Sequence, residues 1–150
     1  MNKVEEFFKQ NNLPFTVQYL NESTATVDLA AAALGEKPER IAKTLSFQVK
    51  DDYIVVVFAG TARIDNKKYK QTFGVKAKML SADQALEHIG HPVGGVCPFA
   101  LPDNVKVYLD QSLQQFDYIY PAAGTPNSAV KMSPQELHGA TAGAWVEVSQ

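Results

Sequence analysis

The sequence predicts an α+β fold: a mixed, partly closed, barrel-like β-sheet surrounded by helices. Three observations predict it. Segments with strand character outnumber segments with helical periodicity. Several successive strand segments lie too close together for crossover helices, which argues against a doubly wound parallel sheet. One of them, residues 53–59, is a continuous β-branched and aromatic run that reads as a central strand buried on both faces.

Taken in order, residues 2–11 read as a helix with Val4, Phe7 and Phe8 on one face. Asn11 and Asn12 end it, and Pro14 follows. Residues 15–20 alternate as a strand, and 21–24 are polar and loop-like. Thr26 N-caps a helix through Leu34 that Gly35 stops. Pro38 opens a short helical turn. Residues 42–49 alternate cleanly and reverse through 50–52 into the central strand. Asp65 caps a helix through Phe73, ended by Gly74. Residues 77–80 form a short strand, and Ser81 with Gln84 makes a capping box for a helix to Ile89. Residues 105–109 and 118–120 are strands, with a turn at 110–112. Residues 129–132 are extended, Ser133 and Pro134 start a helix, and 144–148 close the sheet.

Composition narrows the function. The 150 residues fit one domain, 1–150, with a core of its own. A net charge of −2 argues against a strong non-specific nucleic-acid binder, though not against reading the end of an RNA. A single cysteine rules out an internal disulfide. No signal peptide or membrane-spanning run is seen, so a cytoplasmic protein is expected.

Candidate chemistry centres on two glycine loops and a lysine. Residues 94–98 (Gly94, Gly95, Val96, Cys97, Pro98) have the form Gly-x-x-x-Pro and offer backbone N–H groups more than side chains. Such a loop is either a plain turn or a cradle for a carbonyl oxygen or phosphate. Gly124, Thr125, Pro126 and Asn127 form a second loop with short donors and acceptors, readable as a satisfied turn or as a substrate contact. Lys43 stands at the start of an alternating strand, in phase with Leu45 and Phe47 and followed by Thr44. It can snorkel to solvent, or hold an anion at the mouth of the core. Cys97 could be a nucleophile with His91 or His88 as base, but the smaller claim is a buried thiol. The histidines and Cys97 show no metal-ligand spacing. Lys67, Lys68, Lys70, Lys76 and Lys78 are a solvated face or a weak contact to an RNA backbone.

Several of these pieces recur in a fixed order. Ser23-Thr24-Ala25-Thr26-Val27 leads to Ala33-Leu34-Gly35 and then Pro38-Glu39-Arg40-Ile41-Ala42-Lys43-Thr44-Leu45. Gly90-His91-Pro92-Val93-Gly94-Gly95-Val96-Cys97-Pro98-Phe99 follows, then Val107-Tyr108-Leu109-Asp110 and Ala122-Ala123-Gly124-Thr125-Pro126-Asn127. The ordered set resembles the YbaK/EbsC family, related to the editing domain inserted in bacterial prolyl-tRNA synthetases.

The resemblance implies the barrel-like fold. It also implies hydrolysis of a mis-attached small amino acid from the 3′ acceptor end of a tRNA, tRNA-Pro in particular, by a free-standing domain acting in trans. It makes prolyl-tRNA synthetase an expected partner and calls for no metal or other cofactor. It assigns the hallmark lysine to Lys43 and the carbonyl-binding loop to residues 94–98. Thr44 and residues 124–127 are expected beside them as substrate contacts. Some relatives carry a histidine in the later loop, where this chain has Asn127. A non-catalytic protein of the same fold, binding a nucleotide or small ligand, is the alternative.

Overall fold

Local capping chemistry sets where the helices begin in the computed structural model, which describes residues 2–150. In α1 (Lys3–Gln10) the Asn2 side chain accepts the Glu5 N–H and the Glu5 carboxylate returns to the Asn2 N–H. Val4 and Phe8 are its buried face. After β1 (Gln18–Tyr19), α2 (Val27–Leu34) starts at Thr26, whose hydroxyl accepts the Leu29 N–H, and ends on left-handed Gly35. A 3-10 turn at Pro38–Arg40 delivers the chain into β2 (Ile41–Val49), which reverses into β3 (Asp52–Ala59). Asp65 caps α3 (Asn66–Phe73) and Ser81 caps α4 (Ala82–His88), the latter with Gln84 in a capping box. β4 (Lys106–Asp110), a 3-10 turn at Gln111–Gln115, β5 (Tyr120–Pro121) and β6 (Ser128–Ala129) follow. Ser133 caps α5 (Pro134–Thr141), and β7 (Ala144–Val146) completes the sheet.

The main sheet runs β5-β2-β3-β4-β7. β2 and β3 are antiparallel, while β3–β4, β4–β7 and β2–β5 are parallel. The mixed, curled sheet with helices outside is therefore the expected α+β fold. Val55, Val56, Val57 and Phe58 are fully buried, as a central strand covered on both faces requires. One face carries the main core, where Phe8 and Phe99 meet edge-on at 4.9 Å, with Leu109, Ile119 and Leu137 around them. On the other, α3 lays Tyr69 over Phe47, with Val56, Phe58 and Val148.

Several strands are shorter than their alternation suggests, each for a visible reason. Within residues 15–20 only Gln18 and Tyr19 pair, because β6 offers just two partners. Residues 77–80 contribute one bridge, Met79 to Phe47, and two flanking hydrogen bonds before Ser81 turns the chain into α4. Within 118–120, Ile119 pairs with Met132 instead of joining the main sheet. The expected strand at 144–148 stops at Val146 because the Asp110 carboxylate takes over: it accepts the Val148 N–H at 2.9 Å and the Ser149 hydroxyl at 2.7 Å. Asp110 also accepts the Ser112 N–H, which converts the expected turn at 110–112 into the 3-10 segment.

Candidate active site

The side-to-side alternation of β2 puts Ala42, Thr44 and Ser46 on one face of the sheet, and Lys43, Leu45 and Phe47 on the other. The outer edge of β2 is only partly covered. β5 pairs with Ile41 and Ala42, and the 78–80 segment bonds to Ser46 and Gln48. Because the Ser46 and Gln48 backbones point to that edge, the Thr44 backbone points there too, and among the described residues no strand pairs with it on that side. A cavity of about 360 Å³ opens against this gap. Lys43, Thr44, Gly94 and Val96 all line it. Ala25, Ala30, Ala85 and Ala129 share the wall with the larger Val27, Ile41, Leu45, Leu80 and Tyr120, and exposed Met79 and Val93 stand at it as well.

Lys43 is half-buried, and its ammonium donates to the Ala62 carbonyl at 2.5 Å. Burial first, and the Arg63 charge second, hold its pKa below the usual lysine value. Among the described residues no carboxylate pairs with it. A cation with two N–H donors to spare and no counter-charge suits an anionic ligand. The Thr44 hydroxyl is buried and has no hydrogen-bond partner among the described residues.

The glycine loops are built against each other. A β-carbon on Gly95 would stand 2.7 Å from Gly124 C and from Thr125 N. One on Gly94, whose φ is +82°, would stand 2.8 Å from Ala25 Cβ and 3.2 Å from Pro126 Cβ. Gly95 is thus required by backbone-to-backbone packing, and its N–H is already donated to Pro92 O at 3.0 Å. The Gly94 and Val96 amides donate to no other described residue. Gly95, Cys97 and Pro98 are buried behind the wall and do not line the cavity.

Residues 124–127 also stand outside the wall. Their polar groups are spent on a neighbouring segment and on each other. Pro126 O accepts the Thr24 N–H, Asn127 O accepts the Leu20 N–H, and Thr125 Oγ1 lies 2.6 Å from Ser128 Oγ. The loop therefore buttresses residues 94–95 from behind.

Cys97 is fully buried, and that burial pushes its thiol pKa up to about 12, so it stays a thiol. Native protein should accordingly resist a maleimide reagent at pH 8, with labelling appearing only on unfolding. Prompt labelling of the folded protein would contradict this placement. His88 stacks on Tyr53 at 3.9 Å and His138 on Trp145 at 5.8 Å. Among the described residues no group of three or more His, Cys, Asp or Glu side chains could hold a metal. No helix among them is long and apolar enough to cross a membrane.

Two features were not singled out from sequence. Ser46 shares the cavity wall with Thr44, and the signal was present: small residues at 42, 44 and 46 alternate with large ones. His91, weighed from sequence as a base for Cys97 and as a metal ligand but not as a support of the loop, is fully buried beneath it.

Comparison with known proteins places this geometry among relatives. Residues 21–140 match the family model described as an aminoacyl-tRNA editing domain. The uncharacterized protein YwhH of Bacillus subtilis (strain 168) is 47% identical over 138 residues, covering 91% of this chain and 88% of that protein. EbsC of Enterococcus faecalis, named as a candidate Cys-tRNA(Pro)/Cys-tRNA(Cys) deacylase, is 27% identical over 86% of this chain and 80% of its own length. A proline–tRNA ligase of Staphylococcus aureus is 27% identical over 78% of this chain, which spans 21% of the ligase. The crystal structure of protein APE2540 superposes with a TM-score of 0.91 at 33% identity, over 99% of this chain and 100% of that one. A crystal structure described as a candidate trans-editing enzyme for prolyl tRNA synthetase superposes with a TM-score of 0.90 at 25% identity, over 99% and 95%.

Proposed function

The chain belongs to the aminoacyl-tRNA editing domain family, and from that premise we propose that it hydrolyses a small, mis-attached amino acid from tRNA, tRNA-Pro first among them, acting in trans. The observation that carries the proposal is the gathering of Lys43, Thr44, Gly94 and Val96 on one cavity wall.

The chemistry asks little of the protein. An aminoacyl ester is already reactive, so its hydrolysis needs a placed water and donors for the developing oxyanion. The Gly94 and Val96 amides, which donate to no other described residue, are the donors we assign to that oxyanion. The Thr44 backbone carbonyl, on the uncovered edge of β2, is placed to accept from the α-ammonium of the aminoacyl group. Lys43 keeps its tie to Ala62 and turns a remaining N–H toward the terminal phosphate or ribose of the tRNA. Its role is to fix the ester's position. Exposed Lys67, Lys70, Lys76 and Lys78 supply a weak, salt-sensitive contact to the RNA backbone, whereas Lys68 is tied to Glu147 and Ser149. The alanines leave room for a small side chain and the bulkier Ile41, Leu80 and Tyr120 bound that room, so the amino acid is selected by size, as in a second sieve.

The test is a deacylation panel with tRNA-Pro carrying alanine, cysteine, serine, threonine or proline. Release of at least one small mis-attached residue well above the spontaneous rate, with Pro-tRNA-Pro spared, is expected. Binding of tRNA or nucleotide with no acceleration for any of the five would instead make the protein a non-catalytic ligand binder.

A further inference from the structure

We propose that His91 is the positioning residue of this site: its ring closes the glycine loop from inside and holds the Gly94 and Val96 amides on the cavity wall. His91 has no solvent exposure. Its Nε2 lies 2.7 Å from Phe99 O, so a side chain at one end of the loop is bonded to the backbone at the other. The carbonyl can only accept, so Nε2 carries the proton and the ring is the Nε2–H tautomer. Nδ1 then bears a lone pair. It meets no donor among the described residues, and it faces the second glycine loop: a β-carbon on Gly124 would stand 3.6 Å from His91 Nδ1 and Cε1.

The ring is therefore wedged between the two loops, bonded to one and packed on the other. The closure is supported at both ends. Lys3 of α1 donates to Gly90 O beside His91, and the Phe99 ring is locked against Phe8. Within the closed loop, Gly95 N–H turns back onto Pro92 O, and that turn orients the two amides flanking it. The buried Cys97 sulfur, 3.5 Å from His91 Nε2, fills the space inside the closure. A buried acceptor left unpaired at Nδ1 costs stability, a cost consistent with retaining a histidine for its Nε2–H donor and planar shape.

The kinetic consequence rests on the editing reading of the cavity, while the structural one does not, so two measurements are paired. His91→Leu keeps bulk and loses the donor, and His91→Gln places an amide N–H near the Nε2 position. His91→Asn, too short to reach Phe99 O, is a third variant should His91→Leu fail to fold. Amide hydrogen exchange is read at Gly95 and Val96 in each. In His91→Leu or His91→Asn, protection of Gly95 is expected to fall at least tenfold relative to core amides of β3, and in His91→Gln to stay near wild type. On the mis-acylated tRNA that wild type edits, kcat is expected to drop about tenfold or more in the donor-less variants, with KM within about threefold, and to recover in His91→Gln. Equal behaviour of the Gln and donor-less variants, or an unchanged Gly95 amide in His91→Leu, overturns the proposal. If wild type edits nothing, the editing reading falls, and the exchange comparison alone decides for or against His91.

Discussion

Lys43→Ala is expected to lower the deacylation rate by about two to three orders of magnitude, the scale for losing one positioned electrostatic group, while leaving the protein folded. The two halves of this prediction come from different observations. Among the described residues the ammonium has one partner, the Ala62 carbonyl, so its removal costs roughly 1 kcal/mol of stability. Burial already disfavours its charged form, so part of that loss is offset. The tRNA, by contrast, would lose the one cation that the described residues place on the wall of the cavity. Lys43→Arg should recover only part of the rate, because the planar guanidinium cannot hold the Ala62 bond and point a compact charge at the same site. Circular dichroism and thermal melts beside the rates separate the two effects. A variant that melts like wild type and still deacylates at the wild-type rate would remove Lys43 from the mechanism.

Gly95→Ala is expected to have a large structural effect. The new carbon would stand 2.7 Å from Gly124 C and Thr125 N and 2.9 Å from Gly124 O. All three are backbone atoms, which cannot swing away as a side-chain tip can. Forcing the loops apart should cost about 2–3 kcal/mol and lower Tm by roughly 5–10 °C for a chain of this size. It would also displace Val96 from the cavity. Gly139→Ala is the control: it lies in α5 with nothing within 4 Å of the new carbon, and alanine there should be neutral or slightly stabilising. Equal melting temperatures for the two variants would show that the loops do not depend on each other.

Features decided within a few residues could be read before any coordinates. Thr26, Asp65, Ser81 with Gln84, and Ser133 were legible as caps because a side-chain oxygen and an N–H three residues on suffice. Residues 53–59 were legible as the central strand because only burial on both faces suits seven consecutive strand-favouring side chains. Strand ends were not legible, since a distant partner decides them. Asp110 takes the Val148 N–H out of the sheet, and no local pattern announces a contact across 38 residues.

The site divides the same way. Lys43 stood out because a lysine in phase with Leu45 and Phe47 is unusual. Gly94, Gly95 and Gly124 stood out because glycines beside prolines mark special backbone. What the glycines are for lay beyond local pattern. Of the backbone N–H groups expected from the paired glycines, Gly95 N–H is spent on Pro92 O, and the missing side chain of Gly95 makes room for the other loop. That contact, like the place of His91 between the loops, follows from how the second loop is packed, and the spacing of residues along the chain does not encode it.

The central claim is that the aminoacyl end of a tRNA sits in the cavity between β2 and the glycine loop. A non-hydrolysable mimic, 3′-deoxy-3′-alanylamino-adenosine, tests it without requiring turnover. Titrated into isotopically labelled protein, it is predicted to shift the backbone amide signals of Thr44, Gly94 and Val96 together, with one saturating dissociation constant. Amides of α5, which contributes no residue to the cavity wall, are predicted not to move. Saturable binding that shifts other regions and leaves Thr44, Gly94 and Val96 unperturbed would contradict the account.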